Sequence, residues 1–115
     1  MQDKQNYIKR REYYRIRYPH SCRTKIIIQD EDYEGDVVEL SERGVRFIYR
    51  GKIILTEGSD LKVNITFHDG ESIELEGEIL RVEKEDVIVR FSGSLPLSRI
   101  MKEQINFRNH YIGYM

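Results

Sequence analysis

The sequence predicts an all-β fold: a six-stranded antiparallel β-barrel followed by one C-terminal α-helix. Three observations carry that expectation. Beyond residue 20, apolar and polar residues alternate with period two in run after run, the pattern of half-buried strands. These runs recur at spacings of about 8–12 residues with turn signals between them, as in barrels and sandwiches rather than βαβ units. From residue 97 the apolar period changes to 3.6, that of a helix lying on a core.

Taken in order, Cys22, Thr24, Ile26 and Ile28 alternate with Arg23, Lys25, Ile27 and Gln29 in a first strand. An acidic turn, Asp30 to Gly35, reverses the chain into Val37-Val38-Glu39-Leu40. Gly44 opens a third run in which Val45, Phe47 and Tyr49 alternate with Arg46 and Arg50. The fourth run is the clearest, with Leu61, Val63, Ile65 and Phe67 set against Lys62, Asn64, Thr66 and His68. Asp69-Gly70 reads as a two-residue hairpin turn. The fifth run places Ile73, Leu75, Gly77 and Ile79 on one face and Glu74, Glu76 and Glu78 on the wet one. Leu80 and Val82 then change parity, which predicts a bulge or barrel corner near Gly77. After a turn over Glu83 to Asp86, Val87, Val89 and Phe91 form the sixth strand. The connection from Gly51 to Ser59 is left open by the pattern: it reads as a long loop or, at Ile53, Ile54 and Leu55, as a short extra strand. In the tail, Leu97, Ile100, Met101, Gln104, Ile105, Arg108, Tyr111 and Ile112 mark an apolar stripe to pack on the barrel, with Ser98 as N-cap. The organisation expected is a basic arm over residues 1–20, a barrel over 21–95 and a helix over 96–115.

Composition narrows the function. The chain has 115 residues, enough for one domain, and 34% of them are charged. No run approaches the roughly 20 apolar residues of a membrane span, and the N-terminal segment lacks the apolar centre of a secretory signal. Cys22 is the single cysteine, so neither a disulfide framework nor a cysteine metal site is available, and a cytoplasmic protein is expected. The net charge of -1 hides a division: residues 1–25 sum to +6 and the remainder to -7. Such an arm lies against its own acidic body or meets an anionic ligand.

No catalytic constellation stands out. His20, His68 and His110 lie in separate segments without ligand spacing and read as ordinary surface histidines. There is no nucleophile elbow and no phosphate-binding P-loop, so the chain reads as a binding protein, not an enzyme, with no cofactor. Tyr13, Tyr14 and Tyr18 are able to stack on bases, yet tyrosines near a barrel mouth more often pack against it.

Two motifs remain. Arg10-Arg11-Glu12-Tyr13-Tyr14-Arg15 contains R-x-x-x-R at Arg11 and Arg15, a spacing that sets both guanidiniums on one side of either a helix or a strand. Paired guanidinium forks suit phosphates and the O6/N7 edge of guanine. Glu39-Leu40-Ser41-Glu42-Arg43-Gly44 reads first as a turn, with the Ser41 hydroxyl holding the bend and Gly44 taking a positive φ. Glu39 and Ser41, two apart, are expected to face the same way.

Together these motifs resemble the PilZ domain, the bacterial receptor for cyclic di-GMP, which pairs R-x-x-x-R with (D/N)-x-S-x-x-G on a six-stranded barrel. The likeness continues through S-x-x-G-V-x-F at Ser41 to Phe47, the Asp-Gly hairpin, G-x-I-x-R-V at Gly77 to Val82 and V-x-F at Val89 to Phe91. The resemblance implies that Arg11 and Arg15 hold guanine edges and phosphates, with Arg10 a stacking or supplementary contact. It implies that Ser41 bonds near the guanine and that Gly44 admits close approach of the ligand. Glu39 stands where the family has Asp or Asn, which keeps the acceptor but moves it one methylene outward. Ile88 stands where many members have Gly, a departure that bears on packing. The function implied is a cyclic di-GMP receptor or adaptor whose arm reorders on ligand binding and signals to a protein effector in motility, adhesion or exopolysaccharide control. The alternatives are a ligand-free adaptor of the same fold and a small-barrel nucleic-acid-binding protein, which the -7 body disfavours.

Overall fold

The computed structural model describes residues 15–18, 24–28 and 34–112, with the backbone alone at 24, 25, 34 and 107–112. Its strands are β1 (Ile16–Arg17), β2 (Thr24–Ile28), β3 (Glu34–Leu40), β4 (Gly44–Ile48), β5 (Asp60–Thr66), β6 (Ser72–Glu83) and β7 (Asp86–Phe91). One helix, α1 (Leu97–Ile112), follows them. All the pairings are antiparallel, in the order β3-β2-β5-β6-β7-β4, and β4 returns to β3 to close a six-stranded barrel. The two-residue β1 adds to β3 beyond β2, with Ile16 opposite Leu40 and Arg17 opposite Glu39. The barrel and the helix are as the sequence predicts; β1 is an addition.

Alternation builds the core. Leu61, Val63, Ile65 and Phe67 of the clearest run are all buried, as are Val45, Phe47 and Tyr49. Full burial of each such side chain stabilises by about 1.5–3 kcal/mol. Glu74 and Glu76 stay on the exposed face of β6. The parity change after Gly77 is a register shift between Ile79 and Arg81 against β7, and it leaves Leu80 exposed.

A second irregularity sets the orientation of Glu39. The β3–β4 register shifts between Val37 and Glu39. Val37 and Leu40 are both fully buried although three residues apart, which strict period two forbids. The bulge at Val38 reconciles them and turns Glu39 outward.

Several local expectations are corrected. The acidic turn does not extend to Gly35, because β3 begins at Glu34 and Gly35 pairs with Ile26. The β5–β6 hairpin has three turn residues, not two: Phe67 N donates to Glu71 O, Gly70 N donates to Phe67 O, and Gly70 takes φ +90°. Gly here supplies the left-handed residue that a three-residue hairpin loop needs. Ile53, Ile54 and Leu55 form no strand; Ile54 is exposed and Ile53 N donates to the Tyr49 hydroxyl at 2.8 Å.

The helix starts at Leu97, so Ser98 lies inside it and is no N-cap; Pro96 O accepts from Arg99 N and Ile100 N instead. Of the expected stripe, the side chains of Arg108, Tyr111 and Ile112 lie outside the description, and the rest packs only in part. Ile100 is buried, whereas Leu97, Met101 and Ile105 are 36%, 40% and 56% exposed. Among the described side chains of α1 the buried ones are Arg99, Ile100 and Glu103, two of them charged. The packing face is thus set by ion pairs that hydrophobic periodicity does not register.

Candidate ligand-binding site

The motif residues gather where β1 lies on β3. Arg15 immediately precedes β1, and antiparallel pairing brings its Nη1 to 3.5 Å from Glu39 Oε2. Arg17, two residues on and therefore on the same face, donates from Nε to Glu39 Oε1 at 3.1 Å. Ile16 and Tyr18, the alternate residues, are buried. One short strap therefore shows two arginines outward and two anchors inward.

Arg46 of β4 stands opposite Glu39 from the other side. Its Nε donates to Asp86 at 2.9 and 3.1 Å. That hydrogen bond, aided by the charges of Asp86 and more weakly of Glu39, raises the guanidinium pKa. Glu39 consequently lies among three guanidiniums with its side chain 22% exposed. Exposed pairs of this kind hold weakly, about 0.2–1 kcal/mol each, so an anion can displace the carboxylate.

The turn after β3 is tied back tightly. Ser41 N donates to Gly44 O at 3.0 Å, and Ser41 Oγ accepts from Arg43 N at 3.3 Å. Leu40 between Glu39 and Ser41 is buried, leaving those two on the outer face. Gly44 does not take the positive φ expected of it; among the described glycines Gly58 and Gly70 do. It is required because a Cβ there would sit 2.6 Å from the Val89 carbonyl oxygen on β7. The turn also receives Phe91 N on Arg43 O and Leu95 N on Glu42 O, which fix it against the end of β7 and the approach to α1.

The structure thus brings together Arg15, Glu39, Ser41 and Gly44. Arg10, Arg11, Tyr13, Tyr14, His20 and Cys22 lie outside the described residues. Sequence reasoning missed Arg17 and Arg46. Arg17 was visible as the strand partner of Arg15 by period two, but Arg46 needed the β3–β4 register.

A second cluster of charged groups joins β1, the β5–β6 hairpin and α1. Tyr18 is buried, so the packing reading of that tyrosine holds, and its hydroxyl donates to Glu103 Oε2 at 2.7 Å. Burial first, then the Glu103 charge, push the phenol pKa well above its usual range. His68 is not an ordinary surface histidine. Its ring stacks on Tyr18 with centroids 5.6 Å apart, Nδ1 is 2.7 Å from Glu103 Oε2, and its side chain is 20% exposed. Arg99 lies over the Phe67 ring at 4.1 Å and pairs with Asp69 at 3.0 Å and with Glu71.

An open apolar cleft of about 370 Å³ by the 51–59 loop, lined by Ile28, Ile53, Leu55, Leu61 and Ile79 among others, shares no residue with the arginine cluster. Its charged lining residue is an acid, Asp60, which suits no dianion. Among the described residues no group of three His, Cys, Asp or Glu is arranged to hold a metal ion. No helix there is long and apolar enough to cross a membrane.

A closed antiparallel barrel thus carries an outward arginine cluster beside a tight Ser–Gly turn. The PilZ domain model matches residues 9–106, and the chain belongs to the PilZ domain family, which is associated with cyclic di-GMP as a ligand. No curated protein is a significant match in sequence. Among solved structures the fold is similar to that of the Bacillus subtilis inhibitor of motility MotI/DgrA, with a TM-score of 0.61, 17% identity and 80% of this chain covered. The match spans about half, 49%, of the Bacillus chain. It is also similar to the uncharacterised Legionella protein Lpg0364, with a TM-score of 0.55, 19% identity and coverage of 84% of this chain and 95% of that one.

Proposed function

We propose that this protein is a cytoplasmic cyclic di-GMP receptor that binds its ligand through Arg10, Arg11, Arg15, Glu39, Ser41 and Gly44 and signals to a protein effector. The observation that carries the reading is the approach of Arg15 to Glu39: two separate parts of the paired motif meet at 3.5 Å on one outer face. The chemistry follows from that face. Guanidinium forks pair with ligand phosphates and with guanine O6 and N7, and the Glu39 carboxylate accepts from guanine N1 and N2. Ligand capture requires Arg15 to exchange its carboxylate partner for a phosphate or a base edge. The segment carrying Arg10 and Arg11 then closes over the ligand and offers a new surface to the effector.

Titration calorimetry with cyclic di-GMP, GTP and cyclic di-AMP tests this. Cyclic di-GMP is expected to bind most tightly, because adenine presents an amino donor where guanine presents the O6 acceptor. Absence of heat and of thermal stabilisation at roughly 100 μM ligand, a weak affinity for a second messenger, overturns the proposal.

A further inference from the structure

The strap that carries Arg15 and Arg17 is short, and a buried side-chain hydrogen bond ties its end to α1. β1 has two residues, and its ladder on β3 is extended by a bond from Tyr18 N to Val38 O at 2.8 Å. That acceptor belongs to the bulge residue preceding Glu39. Inward of the ladder, Ile16 and Tyr18 are each 4% exposed. Of the two anchors, Tyr18 alone carries a directional contact, the 2.7 Å hydrogen bond to Glu103.

Glu103 is completely buried, a placement a carboxylate tolerates only with several donors around it. The donors come from two other elements. Tyr18 supplies its hydroxyl from the end of β1, and His68 supplies its backbone N at 3.2 Å from the β5–β6 hairpin. The His68 ring, stacked on Tyr18, brings Nδ1 to the same oxygen that takes the phenol. Arg99, one turn earlier on α1, has Nη2 3.8 Å from Glu103 Oε1 and grips the hairpin acids with Nη1. The carboxylate is therefore a junction at which the helix, the hairpin and the strap meet.

We infer that Glu103 is a positioning residue for the ligand site: through the Tyr18 phenol it fixes β1 and so aims Arg15 and Arg17, and it couples occupancy of that site to the docking of α1. The inference rests on the site proposed above. The coupling itself follows from period two. A strap whose inward residues are anchored cannot turn its outward arginines without moving Tyr18 against Glu103. Linkage makes the effect reciprocal, so ligand held by the arginines tightens or loosens the helix by the same factor with which the helix changes affinity. The junction is complete in the arrangement that pairs the strap with β3 and turns both arginines outward, so ligand held by those arginines is expected to tighten it.

The test uses the full chain and three variants, Tyr18→Phe, Glu103→Gln and Lys102→Ala. Lys102 pairs with Asp69 and Glu71 at the rim, making it a control for loss of helix charge without loss of the junction. Hydrogen exchange is followed over residues 15–18 and 97–106, with and without cyclic di-GMP, beside calorimetric affinity and thermal melting. In the wild type, ligand should slow exchange in both segments. Tyr18→Phe should speed exchange in both and weaken binding about tenfold, the effect of losing one hydrogen bond to a charged group, while the cooperative melt remains. Lys102→Ala should do neither. Should Glu103→Gln fail to fold, Tyr18→Phe still decides the matter, since it removes one oxygen and keeps the ring. Wild-type affinity in Tyr18→Phe, or ligand protection confined to residues 15–18, overturns the inference. A wild-type protein that binds no cyclic di-GMP instead overturns the functional reading. The ligand-free exchange of Tyr18→Phe then still reports whether the phenol holds the strap.

Discussion

Arg15 and Glu39 form an ion pair, Nη1 to Oε2 at 3.5 Å, across the β1–β3 ladder at the centre of the proposed site. The arginine proposed to take an anionic ligand is thus already matched to an internal anion. The pair has two consequences that pull in opposite directions. The carboxylate pre-aligns the guanidinium, and it competes with any phosphate for it.

Substituting Glu39 separates these effects. With the carboxylate as acceptor for guanine N1 and N2, Glu39→Ala leaves two donors without a partner in a partly desolvated place and should weaken cyclic di-GMP binding by about 1–3 kcal/mol. Glu39→Asp removes the extra methylene and should bind as well as the wild type or up to about tenfold better, by relief of a rotamer cost of order 0.5–1.5 kcal/mol. Calorimetry on both variants checks this. Tighter binding by Glu39→Ala would show that Glu39 acts only as a competitor.

Arg15→Ala is expected to cost about 2–4 kcal/mol of ligand binding with the fold intact, since truncating one side of a charge-assisted contact costs that much. Stability should change by less than about 1 kcal/mol, the range for exposed ion pairs. Urea unfolding beside calorimetry reads both. An unfolded variant would make the arginine structural.

Gly44→Ala should behave in the opposite way. A Cβ 2.6 Å from the Val89 carbonyl oxygen meets backbone that cannot step aside, so β4 and β7 must separate. Overpacking of this kind costs about 1–3 kcal/mol. The denaturation midpoint should fall, and a loss of ligand binding without loss of stability would place the role of Gly44 at the ligand instead.

Asp69 gives a pH signature. The hydrogen bond from Glu71 N, then Arg99 and Lys102, lowers its pKa from the ordinary 3.8 to about 2. A carboxyl whose pKa is lower folded than unfolded binds fewer protons in the native state, so its contribution is complete above about pH 4 and lost as pH falls towards 2. Thermal melts of the wild type and Asp69→Asn should therefore differ at neutral pH and converge in acid. A difference that persists unchanged to about pH 2 contradicts this assignment.

Salt dependence separates a dinucleotide from a long polyanion. Two phosphates release few counterions, and the log–log slope for cyclic di-GMP should be no steeper than about -1.5. Single-stranded RNA held along the basic N-terminal segment would give a slope of several units. RNA binding tighter than cyclic di-GMP binding at about 0.15 M salt would favour the nucleic-acid alternative.

The six barrel strands and the helix were legible in the residues because period is a local property: Leu61 to Phe67 alternate whatever they pair with. The paired motifs were legible for the same reason, as fixed spacings along the chain. Their meeting was not. Glu39 faces Arg15, Arg17 and Arg46 only because a bulge at Val38 breaks the alternation between Val37 and Leu40 and because β3 pairs with both β1 and β4. Likewise Glu103 and Arg99 stand outside the apolar stripe that the helical period marks, since charge on a periodic segment signals solvent unless partners are known. Those partners, Tyr18 and the His68–Glu71 turn, arrive from elements distant in the chain. Local alternation decided what the elements are. Register, closure and the need of a buried carboxylate for donors decided which side chains they bring together.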